Sequence, residues 1–543
     1  MTSETNDLLS RLKALNNIGV ALSAEKNGTQ LQEMILKEAK KIAFADGGTL
    51  YTRTNDNQLK FEIMLTDSLN IHRGGTSAYT VDDMPLLDMY NKNGEPNLGI
   101  VAVCAAVRGK TINIPDAYSN TEFEFSGMRD FDKEMGYQSK SFLTVPMKDH
   151  EGDIIGVLQL INAKNPVTGE ITVFEALEQE LVESLASQAA VALANQRLLE
   201  KHRLLFEGFI KLIAKALDEK SPYNGEHCRR VPEIAIMLAE ATSKIEIGPL
   251  KDFKMTEADF YELKVAGLLH DCGKITTPEY VIDKATKLQT IFDRIDLIDT
   301  RFEVLKRDAE IALLREQLGE KIDAQALETK LAKTVKSLNE ESEFLHHCNK
   351  GGEFMSDELK QRVLAISQRR WKSPTGQQEE TEKNFLSDNE VYNLQISKGT
   401  LTPEERQTIN NHIVATINML EALPYPKYLQ NVPEYAGGHH ERMDGKGYPK
   451  GLKREQMSIQ ARIMGIADVF EALTAGNRPY KKPMSLSVAL KILGKMKEDN
   501  HIDPDIFDVF IHQKVYLQYA KKFLIPEQIQ EVDVTKLPGY NPL

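Results

Sequence analysis

Three short stretches of the chain hold residue types that together bind divalent cations. The first is His270 Asp271 Cys272 Gly273 Lys274, the second runs from His439 His440 Glu441 to Gly447 Tyr448 Pro449, and the third places Asp468 within Ala467–Thr474. Neutral imidazoles serve as terminal ligands, and a carboxylate has two oxygens with which to bridge a pair of ions. Two further histidines stand at helix signals: His227 opens an amphipathic pattern, and His412 follows the N-terminal signal Thr402 Pro403 Glu404 Glu405. The elements that must hold these groups are helical. His270 and Asp271 close an apolar pattern through Leu263, Val265, Leu268 and Leu269, with Gly273 expected to stop that helix. Asp468 lies on a pattern whose apolar face includes Ile463, Ile466, Phe470 and Leu473. The set points to a metal-dependent hydrolase.

The series resembles the HD-GYP branch of the HD phosphohydrolases. His270 Asp271 with Gly273 Lys274 carries the resemblance, as do His439 His440 Glu441 with Asp444 Gly445 and Gly447 Tyr448 Pro449. It continues through Arg478 Pro479 Tyr480 Lys481 and His501 Ile502 Asp503 Pro504. It implies a mostly α-helical domain over about 206–524 that hydrolyses cyclic di-GMP to pGpG, with the final product, pGpG or GMP, left open. It also implies ligands: His227, His270, Asp271 and Asp468 for one metal, and Asp271, His412, His439 and His440 for the second, with Asp271 as the bridge. Two cations about 3.5 to 4 Å apart share a hydroxide that attacks phosphorus in line, so no protein nucleophile is required. Lys274 then matches a lysine that reaches a phosphate, and Arg478 with Lys481 a pair that grips the other phosphate and the guanine edge. Glu441 and Asp444 are expected to order the signature loop by hydrogen bonds behind the ligands, Gly445 and Gly447 to permit its turn, and Tyr448 and Pro449 to stiffen it.

Mixed nitrogen and oxygen ligation suits iron or manganese, with zinc left open. Two ions rather than three are expected. Relatives with three carry a glutamate four residues before the first ligand histidine, where this chain has Tyr223, and Glu226 lies about 100° round the helix from His227. Two other readings stay open: a phosphodiesterase for another cyclic dinucleotide such as a cyclic GMP-AMP, and a non-catalytic adaptor that binds cyclic di-GMP. The complete ligand set favours the enzyme.

The N-terminal part reads differently. Gly48–Tyr51, Phe61–Met64, Ser141–Pro146 and Ile154–Asn162 are short strand-like runs, Glu151 Gly152 Asp153 is a hairpin turn, and Leu31–Ala43 is an apolar helix. This α+β order, with Ile114 Pro115 Asp116 Ala117 and the Val145 Pro146 and Gly156–Leu160 runs, resembles a GAF domain over 1–176. The resemblance implies a small-molecule pocket over one sheet face, its ligand unknown. Leu185, Ala192, Leu199, Phe206 and Ile213 then recur every seven residues, with Leu181, Gln188, Asn195, His202 and Phe209 interleaved. Read as a linker over 177–205, this helix is a parallel coiled coil joining a homodimer, or else a single helix lying on the GAF sheet. A charged insertion over 289–399 is expected as a solvated helical cap, and 525–543 as a C-terminal tail. Its His346 His347 Cys348 are rejected as metal ligands, as lying on a polar, exposed helix end with no acidic partner.

Composition sets the outer limits. With 543 residues, 41% hydrophobic and 27% charged, the chain is long enough for two or more cored domains. A formal net charge of -13 argues against non-specific binding to nucleic acid or to an anionic membrane surface. Four cysteines without CxxC spacing suggest neither a disulfide framework nor a zinc ribbon. Polar Met1–Arg11 lacks a signal-peptide core, and no stretch approaches the ~20 apolar residues of a membrane span. A soluble cytoplasmic protein is therefore expected.

Overall fold

The computed structural model describes residues 3–220, 226–319, 324–352, 354–372, 382–476 and 483–542. They divide into two units, Met1–Phe206 and Glu207–Leu543.

The first unit is built on an antiparallel sheet. Its strands are β1 Ala45–Arg53, β2 Gln58–Thr66, β3 Ile71–Gly74, β4 Leu87–Asp88, β5 Ile112–Ile114, β6 Phe142–Lys148, β7 Ile154–Lys164 and β8 Ile171–Thr172. The spatial order is β3-β2-β1-β7-β6-β5, with β4 beside β2 and β8 beside β7. β1 is central, setting Leu50 opposite Leu158 on one side and Ile63 on the other. The expected turn at Glu151–Asp153 joins β6 to β7, closed by Asp149 accepting the Asp153 amide. Period-2 alternation gives the sheet two apolar faces. One packs Leu50, Leu158 and Leu160 against Leu31, Ile35 and Leu36 of the Gly28–Ile42 helix. The other packs Tyr51, Leu59 and Val157 against Val103 and Ala106 of the Val101–Arg108 helix. A helix that the sequence reading missed, Ser3–Ala24, adds Leu15, Ile18 and Leu22 to the first face.

The long helix is continuous from Ala176 to Lys220, so it does not end where the 177–205 linker was drawn. Its first turns are not a free seam. Leu181, Val182, Leu185, Ala186, Ala189 and Leu193 are buried in the core of the first unit, as in the single-helix alternative. Beyond them Leu198, Leu199, Leu204, Leu205, Phe209 and Leu212 are exposed.

The second unit is mostly helical. The helices His227–Ser243, Glu257–Leu269, His412–Glu421, Val432–Gly437 and Ile459–Thr474 carry the candidate ligands. Phe470 anchors them from behind, its ring edge-on to Phe510 (5.0 Å between centroids) and Tyr519 (5.7 Å). The C-terminal segment is not a loose tail: Leu537 is buried, and the Gln528 side-chain amide donates to the Thr474 carbonyl at 2.9 Å.

The insertion differs from the solvated cap expected of its charged sequence. Its helices Ile295–Gly319, Ala324–Asn349, Asp357–Ser367 and Asp388–Leu394 enclose a core of their own, with Ile298, Phe302, Leu345, Val363 and Phe385 buried. Phe302 and Phe385 lie 4.5 Å apart. Amphipathic spacing within a charged segment thus built a packed module. Cys348 is buried in this module, and His346 does have an acidic partner, Asp299, at 2.9 Å. That correction explains the histidine as a paired side chain rather than a ligand. The breaker-containing Ser373 Pro374 Thr375 Gly376 lies outside the described residues.

All four cysteines, Cys104, Cys228, Cys272 and Cys348, are buried thiols. Among the described residues no helix is long and apolar enough to cross a membrane.

Candidate metal centre

The Glu257–Leu269 helix starts with a capping box, in which Thr256 and Asp259 exchange side-chain and backbone hydrogen bonds. It ends with His270 as its cap and Asp271 just beyond. The last carbonyls of a helix lack partners within it. His270 uses one: its Nδ1 donates to the Gly267 carbonyl at 2.8 Å. The same device recurs twice, with His412 Nδ1 on the Ile409 carbonyl at 2.5 Å and His439 Nδ1 on the Ala436 carbonyl at 2.6 Å. A carbonyl only accepts, so each Nδ1 carries the proton and each Nε2 presents a bare lone pair.

Those lone pairs converge. His227 Nε2 lies 3.3 Å from His270 Nε2, 3.1 Å from Asp468 Oδ1 and 3.4 Å from Asp271 Oδ2. His270 Nε2 is 3.3 Å from the same Asp271 Oδ2. On the far side of that carboxylate, His412 Nε2 is 3.3 Å from Asp271 Oδ1 and 3.3 Å from His440 Nε2. One oxygen of Asp271 therefore faces His227 and His270, and the other faces His412. Three ligand-like triads result, His227 His270 Asp468, His270 Asp271 His439, and His412 His439 His440, with their donor atoms within 4.8 Å of one another.

These residues fit a pair of divalent cations. His227, His270, His412 and His439 are buried, as is Asp271. Among the described residues the buried His439 Nε2 has no hydrogen-bond partner, and a cation would satisfy its lone pair. The charges agree. Burial opposes charge on Asp271, but Lys274, His270 and His227 hold its carboxyl well below the usual range. Burial also opposes charge on Asp468, and His227 with its neighbours again wins. Burial, aided by the mutual proximity of the imidazoles, pushes His439 well below its ordinary value and His440 down to about 4. Both are thus neutral, the form a metal takes. His227 goes the other way: burial disfavours its cation, yet hydrogen bonds to Asp271, Asp468 and Glu471 raise it.

Glu471 is the residue that the sequence reading passed over. It is almost fully buried and takes the Nδ1 proton of His227, turning that ring's Nε2 inward. The available signal was its position three residues after Asp468, on the same face of the Ile459–Thr474 helix.

Lys274 reaches Asp271 from the short turn Cys272–Thr276, with Nζ 2.6 Å from Oδ2. Here it neutralises the carboxylate. Gly273, expected to stop the helix, lies beyond its His270 cap, inside the Cys272–Thr276 turn. A Cβ there would lie 2.0 Å from the His412 carbonyl oxygen and 2.5 Å from the Thr416 amide, so glycine serves close approach of two backbones.

The signature loop is braced mostly from within. Glu441 accepts the amides of Lys450 (2.7 Å) and Leu452 (2.9 Å), and Asp444 accepts the Arg442 guanidinium and the Lys446 amide. Among the described residues these bonds stay within the loop, so the two carboxylates order the loop rather than the candidate ligands. Gly445, at φ +77°, makes the turn, while Gly447 is needed because a Cβ there would lie 2.4 Å from the Arg442 amide nitrogen and 2.5 Å from the Glu441 α-carbon. The Tyr448 ring stacks on His440 at 4.8 Å, which links the loop to the centre. Arg478, Pro479, Tyr480, Lys481 and Tyr223 lie outside the described residues.

Comparison with known proteins gives a GAF domain over 28–193 and HD domain matches over 224–356 and 388–506. A probable cyclic di-GMP phosphodiesterase of Vibrio cholerae serotype O1 is 36% identical over 137 residues, 24% of this chain and 31% of that protein. The 3'3'-cGAMP-specific phosphodiesterase 1 of the same organism is 45% identical over 80 residues, 15% of this chain and 18% of that protein. A cyclic di-GMP phosphodiesterase of Thermotoga maritima is 34% identical over 116 residues, 21% of this chain and 31% of that protein. The chain thus spans less than a third of the length of these relatives.

Proposed function

We propose that this chain, which joins a GAF domain match to HD domain matches and carries the Gly447 Tyr448 Pro449 loop, is a metal-dependent phosphodiesterase that opens cyclic di-GMP to pGpG, with onward cleavage to GMP left open. The observation that carries the reading is the Asp271 carboxylate, whose two oxygens address different imidazoles across one buried centre. His227, His270, Asp271 and Asp468 would hold one ion, and Asp271, His412, His439 and His440 the other, with iron or manganese suiting the mixed donors. Ions held there supply Lewis acidity and an acidified water for attack on phosphorus. The chain's own residues do the rest. The backbone-fixed tautomers hold the imidazoles ready, Lys274 turns from Asp271 to a phosphoryl oxygen, and Arg478 with Lys481 holds the second phosphate and the guanine edge. Burial of the centre keeps bulk water from competing.

Full-length protein supplied with iron or manganese under reducing conditions should convert cyclic di-GMP to pGpG, separated by chromatography. Asp271→Ala should lose both metals and the activity together while its far-ultraviolet circular dichroism stays helical. A variant that hydrolysed substrate near the parent rate would sink the assignment. A cyclic GMP-AMP offered in the same assay tests the second reading, which a relative named for that substrate favours. Binding without turnover would leave the adaptor.

The exposed run Leu198, Leu205 and Leu212, spaced by seven with Phe209 alongside, supports a homodimer through parallel copies of this helix. Light scattering should give twice the chain mass, and Leu205→Glu with Leu212→Glu should give the monomer. A monomeric parent protein refutes it. A small molecule bound by the GAF domain would then act on the rate by favouring one arrangement of this helix. A cytoplasmic place of action goes with the substrate.

A further inference from the structure

A cleft lies where the insertion meets the segment leading to His412, and none of the candidate metal ligands is in its lining. Its volume is about 640 Å³, within the range of small-molecule sites. Three cations line it, Lys360, Lys398 and Arg406, together with Tyr392, and no acidic residue does. Lys360 has Asp357 at 3.3 Å, but among the described residues the side chains of Lys398 and Arg406 have no hydrogen-bond or ion-pair partner.

Both walls are fixed before any ligand arrives. Lys287, almost wholly buried, donates to the carbonyls of Leu394 (3.0 Å) and Ile396 (2.8 Å) beneath the Gln395–Lys398 wall. Gln395 also donates to the Lys360 carbonyl at 3.1 Å. Across the cavity, the Pro403–Asn410 helix is held by its capping box and by Lys284, whose ammonium takes both oxygens of Glu405 at 2.8 Å. Of the nearby acids, Glu405 is paired with Lys284, while Glu404 accepts the Tyr392 hydroxyl and so fixes that ring. What remains pointing into the cavity is positive charge beside an aromatic ring. Preformed walls lower the ordering cost of binding.

We propose that this cavity binds a 5′-phosphorylated nucleoside, its phosphate held by Lys398, Arg406 and Lys360 and its base laid against Tyr392. Guanidinium and ammonium groups suit phosphate oxygens, and an aromatic ring suits a base. The site also has a route to the metal centre. The Pro403–Asn410 helix leads directly into His412, and Gln407 on the cavity wall donates to Asn411 at 2.8 Å. The proposal rests on the phosphodiesterase reading only for the choice of GMP as probe, the nucleotide that onward cleavage of pGpG would yield.

The test is calorimetric titration of GMP into full-length Asp271→Ala, which removes GMP binding at the metal centre, and into the same protein carrying Lys398→Glu and Arg406→Glu. Binding with a Kd tighter than about 1 mM is expected in the first. It should weaken by at least about tenfold in the second. Guanosine should bind at least about tenfold more weakly than GMP. Lys398→Gln with Arg406→Gln, which preserves size, should show the same loss if the Glu pair perturbs folding. Equal GMP affinity with and without the two cations overturns the proposal, as does guanosine binding as tightly as GMP. Inorganic phosphate binding as tightly as GMP overturns the nucleotide and leaves a bare anion site. A protein that fails to hydrolyse cyclic di-GMP still gives a definite result here, so the two readings fail separately.

Discussion

At the scale of single residues the centre depends on which imidazole nitrogen carries the proton. Three rings are set by main-chain carbonyls, which no substitution can remove. Only His227 is set by a side chain, Glu471. Glu471→Gln should therefore weaken metal binding by about 10- to 100-fold, because an amide can also present an N–H and permits the wrong tautomer. Metal titration followed by elemental analysis measures this. An affinity unchanged within about twofold would show that His227 is oriented by packing alone.

At the scale of elements, the centre is an assembly of helix ends, and the closeness of those ends is itself a structural requirement. Gly273→Ala would drive a methyl group into the His412 carbonyl and the Thr416 amide. An overpacked contact of this kind should cost about 1 to 3 kcal/mol, visible as a lowered melting temperature, and should displace His412 enough to reduce bound metal. A melt and metal content equal to the parent's would mean that the backbones part without penalty. The helices themselves were legible from sequence, because His270 and Asp468 sit on patterns with clear apolar periods and His412 follows a clear helix cap at Thr402. Glu471 was legible in principle through its three-residue offset from Asp468. The insertion's core was not, since charged residues between its apolar positions hide a buried face until the helices are paired. Nor was the fate of the long helix. A heptad reads the same whether its apolar stripe meets a second chain or its own sheet, and Leu181 to Leu193 meet the sheet.

At the scale of the whole molecule the two units respond to different conditions. In the first unit Glu33 is buried, and burial alone would raise its pKa. Lys37 and the Thr76 hydroxyl and amide instead bring it from 4.5 to about 2. A depressed carboxyl contributes stability that is fully present above its unfolded value and lost as pH falls through the folded one. The contribution of Glu33 should thus fade between pH 4.5 and 2. Urea midpoints of Glu33→Gln should fall below the parent's at neutral pH and approach them in acid. A gap between the two proteins that stayed constant with pH would contradict this.

The four buried thiols lie one in the GAF sheet domain, one in the insertion and two beside candidate metal ligands, at Cys104, Cys348, Cys228 and Cys272. Each becomes alkylable only when its own neighbourhood opens. The native chain therefore carries an internal set of clocks: timed labelling followed by peptide mass spectrometry would rank the sheet domain, the insertion and the candidate metal centre by opening free energy without a single substitution.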